Sequence, residues 1–159
     1  MSVPALDERD STMGEQQFGR ILLASEGRAI TDAAIARVLE LLYESDRSVR
    51  VLSIARVHGV AFGLPNPGLL PTKREWDEQR EMVRKVVKRL RRKGIDADGH
   101  VLGTRNATKR ICQEAVLQEC GAIVMAADAD RPRLVGDMLW TQEPQRVRRK
   151  SSVPVYLVK

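Results

Sequence analysis

Arg20-Ile-Leu-Leu-Ala-Ser-Glu-Gly27, followed by Thr31-Asp-Ala-Ala-Ile35 and then Val38, Leu39, Leu41 and Leu42, is the stretch whose reading decides the fold. The first part is a short apolar run halted at Glu26-Gly27, which predicts a buried strand closed by a turn. The second part places apolar residues at helical spacing, with Ala and Leu as strong helix formers. A buried strand leading directly into an amphipathic helix is the opening unit of an α/β sheet.

The rest of the chain repeats that alternation. Val49, Val51, Leu52, Ile54 and Val57 predict a second strand over about 48–57. Three Gly and three Pro between His58 and Pro71 predict a long surface loop. Thr72 and Glu75 have the spacing of a capping box, opening a helix to Lys93 whose stripe is Trp76, Met82, Val83, Val86, Val87 and Leu90. Gly94 is placed to stop it. Ile95–Leu102 predicts a third strand closed by Gly103. Thr108 is read as the cap of a helix with Ile111, Ala115, Val116 and Leu117 on its apolar face, ended by Gly121. Ala122–Ala127 predicts a fourth strand, and residues 138–150 are partly helical, with Pro144 suited to a first turn. Val153–Val158 predicts the last strand. The expected fold is a three-layer αβα sandwich on a five-stranded parallel sheet, formed by residues 19–159 after a flexible tail over 1–18.

Composition narrows the function classes. A chain of 159 residues buries roughly 70% of its unfolded surface, so it needs no covalent staples. Apolar runs are too short to cross a membrane. Residues 1–19 carry acids and no apolar stretch, so no secretory signal is read there, and the two cysteines are expected in a reducing cytoplasm. The net charge of +6 favours anions without specifying one, and 4% aromatic content leaves few platforms for stacking on nucleic acid.

In an open α/β sheet, ligands bind beyond the carboxyl ends of the strands. The loops there are 25–31, 56–71, 103–107 and 127–137, with Ser25, Glu26, Arg28, Thr31, Asp32, Arg56, His58, Asp128, Asp130, Arg131 and Arg133 as candidates. No catalytic set emerges. His58 and His100 are far apart, and Cys112 and Cys120 are placed on one helix face as core residues without metal-ligand spacing. Asp128 and Asp130 are read as surface acids pairing with Arg131 and Arg133, the alternative being Mg²⁺ held beside phosphates. Neither a P-loop nor a dinucleotide glycine fingerprint is present. The run Arg84-Lys85 to Lys93 is read as a solvated helix face, with nonspecific binding to anionic polymers as the alternative.

Taken together, these pieces resemble the universal stress protein family over about residues 20–159. Ile21–Gly27 is similar to that family's first strand with its Asp-Gly-Ser. Gly103, the following helix and Gly121-Ala-Ile-Val-Met125 resemble its central segment, and Val153-Pro-Val-Tyr-Leu-Val158 its closing strand. The resemblance implies an adenine nucleotide alpha hydrolase-like, Rossmann-like fold. It also implies a nucleotide site at positions matching Ser25, Glu26, Gly27, Arg28, Val57, Ala126, Ala129, Arg131 and Thr141. Family members that bind ATP carry a Gly-x2-Gly-x9-Gly-Ser/Thr loop after the fourth strand. There, backbone N–H groups approach the phosphates and a helix N-terminus adds favourable charge. In this chain the first two glycines correspond to Ala126 and Ala129, and the third falls near Thr141-Gln142. Gly136 comes too early. The family's Asp corresponds to Glu26, and the Ser after its Gly to Arg28.

The expected function is therefore a noncatalytic stress-response or regulatory module without the standard ATP site, and with no metal. The alternative is ATP or AMP bound at a recast anion site built from Arg28, Arg131 and Arg133, with weak ATP hydrolysis. A second alternative is a basic protein associated with nucleic acid. A homodimer through residues 153–158 is expected: Val153, Val155, Leu157 and Val158 form an apolar edge that pairing would protect. Pro154 lacks an N–H, so contact should centre on 155–158. The resemblance implies the same arrangement.

Overall fold

The computed structural model describes residues 15–56, 70–127 and 143–159. Five strands and four helices alternate within them: β1 (Arg20–Ser25), α1 (Asp32–Leu41), β2 (Ser48–Arg56), α2 (Lys73–Arg92), β3 (Asp96–Thr104), α3 (Ala107–Leu117), β4 (Ala122–Ala126), α4 (Glu143–Lys150) and β5 (Val155–Val158). The sheet order is β3-β2-β1-β4-β5 and every pairing is parallel. The chain builds outward from β1 on one side and then returns to its other side. The switch point therefore falls between β1 and β4.

Strand alternation divides the core into two layers. Ile21, Leu23, Val49, Val51, Ala122 and Val124 face α1 and α2, where Ala34, Val38, Leu41, Val83, Val87 and Leu90 meet them. Leu22, Ala24, Leu52, Ile54, Ile123 and Met125 face α3 and α4, where Ile111, Ala115 and Val147 meet them. The three central strands are apolar on both faces because helices cover both.

Helix ends follow local chemistry. The Thr31 hydroxyl accepts from the Ala34 N–H at 3.1 Å, and Thr72 with Glu75 forms the complete capping box. Gly94, at φ +77°, turns the chain out of α2. Two sequence expectations fail at α3. Its cap is Asn106, whose side chain accepts from the Lys109 N–H at 3.1 Å, and Thr108 lies inside the helix, buried. The left-handed residue beyond the helix is Glu119 at φ +53°, in place of Gly121. Gly121 is needed for another reason: a Cβ there would lie 2.8 Å from the Phe18 ring.

Val116 and Leu117 are exposed, against the expected apolar face. The buried face runs Ala107, Ile111, Ala115 at i, i+4 spacing, and successive residues turn about 100° away from it. Cys120 lies beyond the end of α3, so the two cysteines do not share a helix face. Burial pushes the Cys120 thiol up to about 11 and raises that of Cys112. Both therefore stay protonated at neutral pH and are poor nucleophiles.

The remaining boundaries differ by a few residues. β3 continues through Gly103 to Thr104, where Trp76 packs close against the glycine, and β5 starts at Val155 rather than Val153. The 138–142 part of the expected helix lies outside the described residues. Phe18, at the end of the segment read as a tail, is buried in the core and bridges to Leu42.

A polar layer crosses the amino half of the sheet. Arg50 binds Asp98 at 2.8 Å and Glu114 at 3.1 Å, and Arg20 Nε donates to the Gln118 carbonyl at 2.8 Å. These bonds fix the end of α3 against β1 and β2, at the opposite end of the strands from the loops discussed below.

Candidate functional site at the carboxyl edge of the sheet

Parallel register sets the site's geometry. Ala24 pairs with Met125, which puts Ser25 level with Ala126, while Ser25 also pairs with Ser53 on β2. Ser25 and Ala126 thus stand side by side at the switch point, with Glu26, Gly27 and Arg28 in the turn that follows β1. Helices of such a sheet run against the strands, so the N-termini of α1, α3 and α4 lie on this same edge.

The β1–α1 turn is closely tied. Gly27 takes φ +121°, a backbone conformation for which glycine is suited. Its N–H donates to the Ser25 hydroxyl at 3.1 Å, and the Ser25 hydroxyl in turn donates to the Arg28 carbonyl. Gln79 of α2 clamps the turn from outside. Its Nε2 donates to the Gly27 carbonyl at 3.0 Å, and its Oε1 accepts from the Ser53 hydroxyl. Sequence reasoning missed Gln79, although it occupies a core-facing position between Trp76 and Val83. A polar residue interrupting an apolar stripe was the available signal.

Glu26 is fully buried, and its carboxylate receives the Arg28 guanidinium. The ion pair occupies the lip of the crevice. A second buried carboxylate, Glu143, stands in the first turn of α4 and accepts from the Thr108 hydroxyl. Negative charge is favoured at a helix N-terminus, whether it comes from a ligand or from a side chain. Here the chain supplies it. Arg146 Nη1 approaches Glu143 at 3.4 Å. Glu143 was also missed, because the preceding positions were aligned only by glycine spacing.

Thr31, Asp32 and Arg56 stand at this edge as well, each with a local structural place. Thr31 caps α1, Asp32 pairs with Arg89, and Arg56 is the last residue of β2. His100 lies on β3, exposed. Val57, His58, Asp128, Ala129, Asp130, Arg131, Arg133, Gly136, Thr141 and Gln142 lie outside the described residues. Among the described residues no group of His, Cys, Asp and Glu is arranged to hold a metal ion, and no helix is long and apolar enough to cross a membrane.

A five-stranded parallel sheet whose order reverses between β1 and β4, with helices on both faces, defines an α/β domain of Rossmann-like architecture. The universal stress protein family model matches residues 17–159, and the chain belongs to that family. The fold agrees with solved structures at low identity. The universal stress protein UspA from Lactobacillus plantarum superimposes with a TM-score of 0.67 at 13% identity, over 91% of this chain and 100% of that one. A universal stress protein from Archaeoglobus fulgidus, in complex with dAMP, gives 0.57 at 18% identity over 92% and 100%. A family protein from Arabidopsis thaliana with AMP bound gives 0.52 at 14% over 88% and 90%. Among curated proteins no relative matches.

Proposed function

We propose that this chain is a noncatalytic regulatory module of the universal stress protein family that works without the standard ATP cradle. One observation carries the reading: two buried carboxylates, Glu26 and Glu143, stand on the edge where a triphosphate would need donors and positive charge. Ala126 adds a Cβ where the family pattern has the first glycine of the cradle. Nucleotide recovered from the purified protein after denaturation, separated by chromatography, is expected far below one per chain.

The second reading, a recast nucleotide site, draws on the relatives solved with dAMP and AMP. In that reading Arg28 leaves Glu26 and turns to the phosphates. Stoichiometric adenine nucleotide in the purified protein would favour it.

The dimer belongs to the same proposal. β5 is an edge strand, and the Ile123 and Ala127 N–H groups donate to the carbonyls of Pro154 and Val158. Val155 and Leu157 therefore turn their backbone groups outward, ready for antiparallel pairing with a second copy. Sedimentation at micromolar concentration is expected to give twice 17.8 kDa, and Leu157→Pro to give the monomer. A wild-type monomer would remove the dimer from this account.

A further inference from the structure

Among the described residues no strand pairs with the opposite edge of the sheet either, and its surroundings differ. The Asp96 N–H donates to the Arg47 carbonyl at 3.0 Å. In a parallel ladder, Asp96, Asp98, His100 and Leu102 then turn their backbone groups toward β2, and Ala97, Gly99, Val101 and Gly103 turn theirs outward. Arg91 supports this assignment, because its Nε reaches around to the Ala97 carbonyl at 2.8 Å. From Gly99 to Gly103, no described group bonds the outward row. Natural edges of this length are usually blunted with Lys, Pro or a covering element. β3 reads DADGHVLGT and contains neither residue.

Beside this row lies a groove of about 940 Å³ between β3 and α2. Its floor includes Gly99 and Val101, and its wall carries Arg80, Arg84, Lys88 and Arg92, with no carboxylate. A Cβ on Gly99 would stand 2.3 Å from Val83 Cγ1, so the missing side chain is what lets α2 lie this close. Arg80 and Arg84 have exposed i, i+3 partners in Asp77 and Glu81, while Lys88 and Arg92 have no ion pair among the described residues. Exposed pairs of that kind contribute little and exchange readily.

We infer that this groove takes an extended acidic segment of a partner protein, added as a further strand along β3. Two features favour that occupant over a nucleic acid. The open backbone row offers donors and acceptors that only another backbone matches along its length. No Phe, Tyr or Trp lines the groove, whose one ring is His100, so it offers no extended platform on which successive bases could stack. The spacing also fits. Arg84, Lys88 and Arg92 repeat every four helical residues, a rise of about 6 Å, and alternate side chains of a strand repeat at about 6.7 Å. A segment with acids at every second residue would set successive carboxylates against successive cations. This site is independent of the nucleotide question, since it lies on the far edge strand from the β1–β4 crevice.

The test uses the full chain and a labelled peptide of about seven residues alternating Glu with Val or Thr. Fluorescence anisotropy at low salt is expected to show saturable binding. Methylating alternate peptide nitrogens should weaken it about tenfold or more, as should K88E with R92E. Val101→Pro should do the same. Its N–H faces outward, so the β2–β3 ladder survives, and an unchanged circular dichroism spectrum checks that. Should Val101→Pro not fold, the methylated peptide on the wild-type chain still decides. Absence of binding, equal binding of the methylated peptide, or tighter binding of a single-stranded oligonucleotide of equal charge would each overturn the proposal.

Discussion

Arg28→Ala lowers the free energy of unfolding by about 3 kcal/mol, and Glu26→Gln in the same chain restores most of the loss. Glu26 is fully buried and Arg28 is its guanidinium partner, itself mostly shielded from water. A carboxylate held inside a protein owes its tolerance to the charges and donors around it. Removing the cation takes away an offset to the desolvation cost of the charge, whereas the neutral amide of Gln carries a much smaller cost. Urea unfolding of the wild type, the two single variants and the double variant gives the coupling directly. Wild-type stability for Arg28→Ala would mean that other groups hold the Glu26 charge, and the lip would have to be described anew.

The second large effect contrasts two neighbouring turns of α3. Ile111→Ala is expected to cost about 3 kcal/mol, and Leu117→Ala less than about 0.5 kcal/mol. Ile111 is fully buried in the core cluster that holds Leu22, Ile54 and Ile123, so truncation leaves a cavity that the sheet cannot collapse to fill. Leu117 is 69% exposed. Thermal and urea unfolding of both variants checks the pair. Similar losses would show that Leu117 is covered in solution, for instance by another chain.

That contrast also shows what was legible in the sequence. The order of elements could be read because β1, β4 and β5 carry unbroken apolar runs, β2 is rich in β-branched residues, and the helices have interrupted apolar stripes. Glu26-Gly27 marked the turn after β1, whereas the reversal of sheet order at that strand became visible only in the structure. The face of α3 was harder. Val116 and Leu117 continue an apolar string in sequence, but only Ala107, Ile111 and Ala115 share a side of the helix, and one wrong neighbour in the period brings the others with it. Caps misled for a related reason. Both Asn106 and Thr108 are good capping residues, and the choice was made by Glu143, thirty-five positions along the chain from Thr108, whose carboxylate takes the Thr108 hydroxyl.

The candidate residues were legible as loop positions, and their pairing was not. Ser25, Glu26 and Arg28 were identified from loop location, yet a two-residue spacing does not say that Glu26 and Arg28 pair with each other. Long-range polar contacts such as Gln79 with Gly27 and Arg50 with Glu114 depend on the three-dimensional register of helices against strands. No local pattern encodes that register beyond a polar residue in an apolar stripe.

We propose that at the edge between β1 and β4 the charges are supplied by the chain, and that no triphosphate takes their place. The most direct measurement is isothermal titration of the nucleotide-free full chain with ATP and with AMP in the presence of Mg²⁺. No saturable heat is expected up to about millimolar nucleotide. Binding at about one nucleotide per chain, with a dissociation constant of about 10 μM or tighter, would contradict it.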